Sequence, residues 1–310
     1  VKIVVFGYQT IGCACLEVLL EAGATVAGVV TAPGEPAADT WFRSMQELAR
    51  ARSLRCLMPE KINDPDVIAS IRSFQPDAFF LFDYPQHISP ELLALPPRGA
   101  INLYATRLPE FPGYLPHVRA VMHGAAATGV TLHDIAPATA GLIAQQTVPI
   151  GWTDSAYEVY LKQAAAAVEL LRRMLPDLLS DQAARTPLPP ASTPSFGPLK
   201  PEECLIDWNR PGTALYNLIR AVTRPYPGAV TGFRGRRCTI WKADVRPAPQ
   251  TGRRASPGRI IKLVPFQVDT GDGLLRLREL QLAGEPSMTS DVFIEQHQVA
   301  VGDSFTAWPA

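Results

Sequence analysis

The sequence predicts an α/β protein, a doubly wound and mostly parallel sheet followed by a small β-barrel, and three observations carry that prediction. Residues 1–6 (VKIVVF) are a continuous apolar, β-branched run, the mark of a parallel strand buried on both faces. A glycine, a helical pattern and a second such run at 24–31 (ATVAGVVT) complete a βαβ unit with an expected right-handed crossover. After a Pro-, Ser- and Thr-rich stretch at 181–198, the pattern changes to short alternating segments (CTIWKADV, GRIIKLV, LLRLREL) separated by Gly and Pro.

The elements follow in order. The first helix spans about 11–21, with Leu16, Leu19 and Leu20 on one face. Gly7 and Gly12 only partly imitate a dinucleotide fingerprint, because G-x-G-x-x-G and an acidic end to the second strand are both missing. After a loop at 33–40, a helix is expected over 41–52 and a short strand over 54–57. Asp64 is the expected N-cap of a helix that has Pro65 in its first turn and runs to about 74. Residues 78–82 (AFFLF) form a buried strand that exits through Asp83-Tyr84-Pro85-Gln86-His87-Ile88. Ala100 and Ile101 begin a strand that runs into Asn102, and a Pro/Gly-punctuated loop leads to a helix around 118–124. A strand at 129–133 and another from about 142 precede a long helix over 155–179, capped by Asp154 and expected to kink or restart at Pro176. The predicted organisation is residues 1–183, a linker over 184–200, and a second domain over 201–310.

Composition narrows the function. The 310 residues are 47% hydrophobic and 19% charged, enough for a large core and two domains. Zero formal net charge gives no global case for a nucleic-acid or membrane partner, and no apolar run reaches the roughly 20 residues of a membrane-spanning helix. The direct start in a strand leads to the expectation of no signal peptide. Five scattered cysteines read as reduced thiols, and with them the expected location is cytoplasmic. No residue spacing suits a metal, and no G-x-S-x-G supports a serine nucleophile.

Chemistry is expected in residues 99–146, because loops at strand ends carry exposed polar groups on a rigid support. Asn102, Leu108-Pro109, Gly129-Val130-Thr131-Leu132-His133 and Gly141 resemble the N-formyltransferases that use 10-formyltetrahydrofolate, both the sugar formyltransferases of the polymyxin-resistance type and methionyl-tRNA formyltransferase. Their pattern is N-x-H-x-S-L-L-P, then G-x-T-x-H, then D-x-G. Ile206-Asp207-Trp208 and Arg220-Ala221…Pro225-Tyr226-Pro227-Gly228-Ala229 resemble the family's second signature. Phe196-Gly197…Pro201-Glu202-Glu203 is similar to the sugar branch. The resemblance covers nearly the whole chain and implies a Rossmann-like formyltransferase fold followed by an OB-like domain.

The resemblance also implies a site. Asn102 occupies the catalytic Asn position, Tyr104 that of the His and Thr139 that of the Asp. Tyr84, Gln86, His87, Ile88, His133, Ala138 and Gly141 fall where the family binds the folate, with Pro85-Gln86 replacing an Arg-His pair. A phenol, with a reference pKa of ~10 against ~6.5 for imidazole, does not replace His as a base, and Thr carries no charge. His117, His87, His133, Asp83 and Asp134 are the candidate substitutes. The loop at 109–119 lacks the family's Arg and Trp. The expected function is N-formyl transfer from 10-formyltetrahydrofolate to a small-molecule amine such as a UDP- or dTDP-amino sugar, weakened, changed or lost through the substitutions. Two alternatives stand beside it: a non-catalytic folate or sugar-nucleotide binder, and a methionyl-tRNA formyltransferase using Arg234, Arg236, Arg237, Lys242, Arg246, Arg253, Arg254 and Arg259 on phosphates.

Overall fold

The apolar run at the N-terminus becomes β1 (Lys2–Gly7), and its residues Ile3 to Phe6 are fully buried. The structure is a computed structural model that describes residues 1–34, 41–135, 141–188, 190, 195–247 and 256–309. Packing divides the chain into one unit of Val1–Pro112, Ala127–Pro149 and Tyr160–Ser195, and another of Gly113–Ala126, Ile150–Val159 and Phe196–Ala310. The segments Gly113–Ala126 and Ile150–Val159 thus pack with the second unit although they lie within the span 1–183.

In the first unit β1 leads to α1 (Gln9–Glu21), β2 (Thr25–Val30), α2 (Met45–Ala51), β3 (Cys56–Leu57), α3 (Pro65–Arg72), β4 (Ala78–Phe82), α4 (Pro90–Leu93) and β5 (Ala100–Tyr104). Gly7 and Gly12 let the strand end and helix start approach closely: a Cβ on Gly12 would lie 2.9 Å from the Gly7 carbonyl carbon. The second helix begins at Met45, four residues after the expected start at 41, because Ser44 caps it by accepting the Glu47 N–H at 3.3 Å. Asp64 holds the N-cap position of α3 without a side-chain bond. The strand that runs into Asn102 continues two residues further, so Asn102 lies inside β5.

α5 (Pro116–Met122) belongs to the second unit, and the first resumes with β6 (Ala127–Asp134), β7 (Gly141–Pro149), α6 (Ala156–Ser180) from Tyr160 onward, and β8 (Thr186–Pro187). Ser155, not Asp154, makes the capping box at the start of α6. Its hydroxyl accepts the Glu158 N–H at 3.3 Å, while the Glu158 carboxylate accepts the Ser155 N–H at 2.7 Å. The helix runs through Pro176, and the Ser180 hydroxyl ties its last turn to the Pro176 carbonyl at 2.8 Å. The eight strands lie in the order β3-β2-β1-β4-β5-β6-β7-β8. Pairing is parallel through β5 and antiparallel from β5/β6 onward.

The second unit continues with a 3-10 turn (Pro201–Cys204), α7 (Gly212–Val222), β9 (Ala229–Phe233), β10 (Arg236–Pro247), β11 (Ile260–Lys262), β12 (Gln267–Asp269), β13 (Gly273–Leu282), β14 (Met288–Thr289), α8 (Ser290–Gln296) and β15 (Phe305–Thr306). These strands form an antiparallel curled sheet, β11-β12-β13-β10-β9-β15. Backbone bonds from Ile260 N to Asp303 O and from Phe305 N to Gly258 O, both 2.8 Å, join the two ends of the row. Phe233, Phe266, Phe293 and Phe305 fill its interior. α5 packs on α7, where the buried Arg119 guanidinium meets both oxygens of Glu203 and donates to the Gly197 carbonyl at 3.2 Å.

Candidate active site

Side chains alternate across a strand, so β5 has two faces. Ala100 belongs to the core that α3 and α4 build against Val4, Phe6, Phe79 and Leu81. Asn102 and Tyr104, two and four residues further along, share that face and are half-buried at the carboxyl end of the strand. The antiparallel partner β6 sets His133 opposite Asn102 and Thr131 opposite Tyr104. Asn102 Nδ2 lies 3.1 Å from His133 Nε2. The other imidazole nitrogen, Nδ1, lies 2.8 Å from the Asp134 carbonyl, an acceptor only, so Nδ1 carries the proton and Nε2 accepts from the Asn102 amide. Burial holds the imidazole below the ordinary histidine pKa, outweighing the opposing pull of Asp134, and His133 is neutral at pH 7. It fixes Asn102 in one orientation and leaves the second amide hydrogen for another acceptor.

The strand exit is pinned from β6 and β7. Thr131 donates its hydroxyl to the Thr106 carbonyl at 2.7 Å and accepts the Leu108 N–H at 3.0 Å. Gln145 Nε2 donates to the Leu108 carbonyl at 2.7 Å and to the Thr131 hydroxyl at 3.0 Å. From α6, the buried Gln163 donates to the Ala105 and Gly129 carbonyls at 2.8 and 2.9 Å. None of these clamps is visible in the sequence, where Gln145 and Gln163 look like ordinary polar residues.

The residues of the loop after β4 divide by role. Gln86 uses both ends of its amide as a strap, accepting the Ile62 N–H at 2.9 Å and donating to the Pro59 carbonyl at 3.0 Å. Ile88 is buried in the α3/α4 core. His87 is exposed, beside Gln86 in an open groove of about 330 Å³ whose other wall is Glu60 to Asp64. Tyr84 meets Phe6 edge to face at 5.5 Å, and its enclosed hydroxyl has no hydrogen-bond partner among the described residues. Gly141 opens β7, buried and paired with Pro187. Ala138 and Thr139 lie outside the described residues.

Each of the other candidate replacement bases has a side-chain partner of its own. His117, in the second unit, is buried with its Nε2 2.6 Å from the Tyr226 hydroxyl, and burial pushes its pKa down to about 3. It stays neutral but its imidazole is already engaged. Asp134 accepts from Arg185 Nε at 2.7 Å. Asp83 accepts the hydroxyl of Tyr160 on α6, and burial pushes its carboxyl up to about 7. Among the described residues no group of three His, Cys, Asp or Glu is placed to hold a metal, and no helix is long and apolar enough to cross a membrane.

Comparison with known proteins gives these features a setting. Residues 1–175 match the family model described as formyl transferase, and residues 198–298 match that of the formyl transferase C-terminal domain. The N-formyltransferase from Helicobacter canadensis, solved with folinic acid and dTDP-3-aminofucose, superposes with a TM-score of 0.66 at 16% identity, covering 92% of this chain and 100% of that one. WlaRD, a sugar 3N-formyl transferase solved in the presence of dTDP and 5-N-formyl-THF, gives a TM-score of 0.67 at 16% identity, covering 92% of this chain and 99% of that one. HypX from Aquifex aeolicus, in complex with tetrahydrofolic acid, gives 0.63 at 16% identity over 97% of this chain and 48% of its own length. At such identity the likeness speaks for a shared fold.

Proposed function

This chain belongs to the formyl transferase family, and from that premise we propose that it transfers the formyl group of 10-formyltetrahydrofolate to the amine of a sugar nucleotide or a related small metabolite. The observation that carries the reading is the Asn102–His133 pair. It holds an amide N–H donor on a rigid strand at the carboxyl edge of the sheet, oriented by a neutral imidazole. When an amine adds to a formyl carbon, negative charge grows on the formyl oxygen, and a preorganised donor there is worth about 3–4 kcal/mol. In this reading Asn102 supplies that donor, the Tyr104 phenol is a second, and His133 is a positioning residue. Thr139, in the place of the family's acid, supplies no charge.

Several features support the choice of substrates. The orphaned hydroxyl of Tyr84 offers a polar partner beside the 83–88 loop, which fits a ligand with a hydrogen-bonding ring edge such as a folate. The neighbours solved with folinic acid, dTDP-3-aminofucose and dTDP support a folate donor and an amino-sugar acceptor. Arg234, Arg236 and Lys242 are paired with Asp303, Glu285 and Glu279, which argues against a phosphate-binding face for tRNA. Family membership is compatible with a cytoplasmic enzyme.

The test is a formyl-transfer assay with 10-formyltetrahydrofolate and dTDP-3-aminofucose, beside thermal shift with tetrahydrofolate. The expected result is stabilisation by the folate and product that falls roughly 10²–10³-fold in Asn102→Ala. Product that appears only in Tyr104→His/Thr139→Asp would establish the non-catalytic binder instead. Absence of any folate effect would remove the donor from the proposal.

A further inference from the structure

In open α/β sheets, ligands settle outside the carboxyl ends of the strands where the strand order reverses. Here that place lies between β1 and β4, where Gly7 pairs with Phe82 and the Tyr8 N–H donates to the Phe82 carbonyl at 3.1 Å. The next residue of β4's chain is Asp83, part-exposed and held at φ +56°, a left-handed conformation unusual for a residue with a side chain. The groups facing its carboxyl come from two helices. Tyr160 on α6 donates its hydroxyl to Asp83 and accepts the Ile11 N–H at 3.2 Å, so an amide of the first turn of α1 is already occupied. From α1 comes the buried thiol of Cys15; burial pushes it up, and the Asp83 charge pushes it further. Among the described residues no Lys or Arg forms an ion pair with Asp83.

A carboxylate placed in this crevice repels phosphate and attracts a cation or a hydrogen-bond donor. We infer that Asp83, oriented by Tyr160, is the residue that binds the ammonium of the acceptor and takes its proton. This inference rests on the formyl-transfer reading above. The ammonium gives its first proton to Asp83, which passes it to solvent. The freed lone pair adds to the formyl carbon and forms the new C–N bond. The bond from that carbon to N10 of the folate breaks, the electron pair leaves with N10, and N10 receives the second amine proton. Burial sets the Asp83 carboxyl at about 7, a value from which a base can both take and release a proton at neutral pH.

The test uses the full chain labelled with ¹³Cγ aspartate. The Asp83 signal is identified by its loss in Asp83→Asn, or in Asp83→Glu if the first variant does not fold. It is then titrated with and without dTDP-3-aminofucose. An ammonium in contact favours the charged carboxylate, so the midpoint is expected to fall by about one unit or more on adding the amine; an unmoved midpoint overturns the inference. In kinetics, Asp83→Asn is expected to lower kcat/KM for the amino sugar roughly 10²–10⁴-fold. With hydroxylamine, whose nitrogen is largely neutral at pH 7, the loss should be much smaller, and equal losses for both acceptors overturn the base role. A carboxyl that responds to the amine in a protein that makes no formyl product keeps Asp83 as the ammonium site and refutes formyl transfer. Product formation undiminished in Asp83→Asn refutes Asp83 alone.

Discussion

Replacing Asp83 with Asn is expected to stabilise the protein, and increasingly so as the pH rises. The carboxyl has a folded-state pKa of about 7, raised by burial from an ordinary value of 3.8. Between those two values the folded protein keeps a proton that the unfolded chain has lost, so wild-type stability falls with pH across that window. The slope is about 1.4 kcal/mol per pH unit, and the whole window amounts to roughly 4 kcal/mol. Above pH 7 the penalty is complete and constant; below the ordinary aspartate value it vanishes. Asn does not titrate, and its carbonyl oxygen can still accept the Tyr160 hydroxyl. Urea unfolding of both proteins at about pH 5 and about pH 8 reads the effect as a change in the stability gap, expected to widen by roughly 3 kcal/mol. A gap that is constant, or narrows toward high pH, would mean that the Asp83 carboxyl is solvated and titrates normally, which removes the physical basis for treating it as a tuned base.

Two further outcomes follow from the geometry. Arg119 is 3% exposed and Glu203 35%, so removing the carboxylate strands a buried charge whereas removing the arginine leaves one that water can reach. Glu203→Ala should therefore cost about 3 kcal/mol and Arg119→Met about 1, measured by chemical unfolding; the reverse order would contradict the burial argument. Thr131→Val removes a hydroxyl bonded to Thr106, Leu108 and Gln145 at 2.7 to 3.0 Å, and should cost about 2–3 kcal/mol while lowering formyl transfer through a loosened β5 exit. A variant as stable and as active as wild type would show that the clamp is not needed.

The parallel half of the first sheet is legible because local pattern and tertiary role coincide there: residues 78–82 are apolar throughout and buried throughout. Helix boundaries are less legible. Ser44 caps its helix four residues inside the start expected at 41, and Pro176 sits so near the end of α6 that the Ser180 hydroxyl can support the single turn beyond it. The site divides in the same way. Asn102 and His133 carry recognisable motifs, but their mutual bond depends on β5 and β6 pairing antiparallel, which neither motif states. His117 looks like a relocated base in the sequence because it lies in the right loop. Its engagement with Tyr226 is a long-range contact that no spacing foretells. The meeting of Asp83 with Tyr160 is hidden for the same reason.

Tyr160 and Gln163 stand three residues apart on α6, one bonded at the β1/β4 crevice and the other at the exit of β5. The pitch of a single helix therefore acts as a gauge for the spacing between those two places. An alanine inserted between the two residues would turn Gln163 by about 100° and advance it by about 1.5 Å relative to Tyr160. Both anchors could not then be satisfied at once, however well the helix itself still formed.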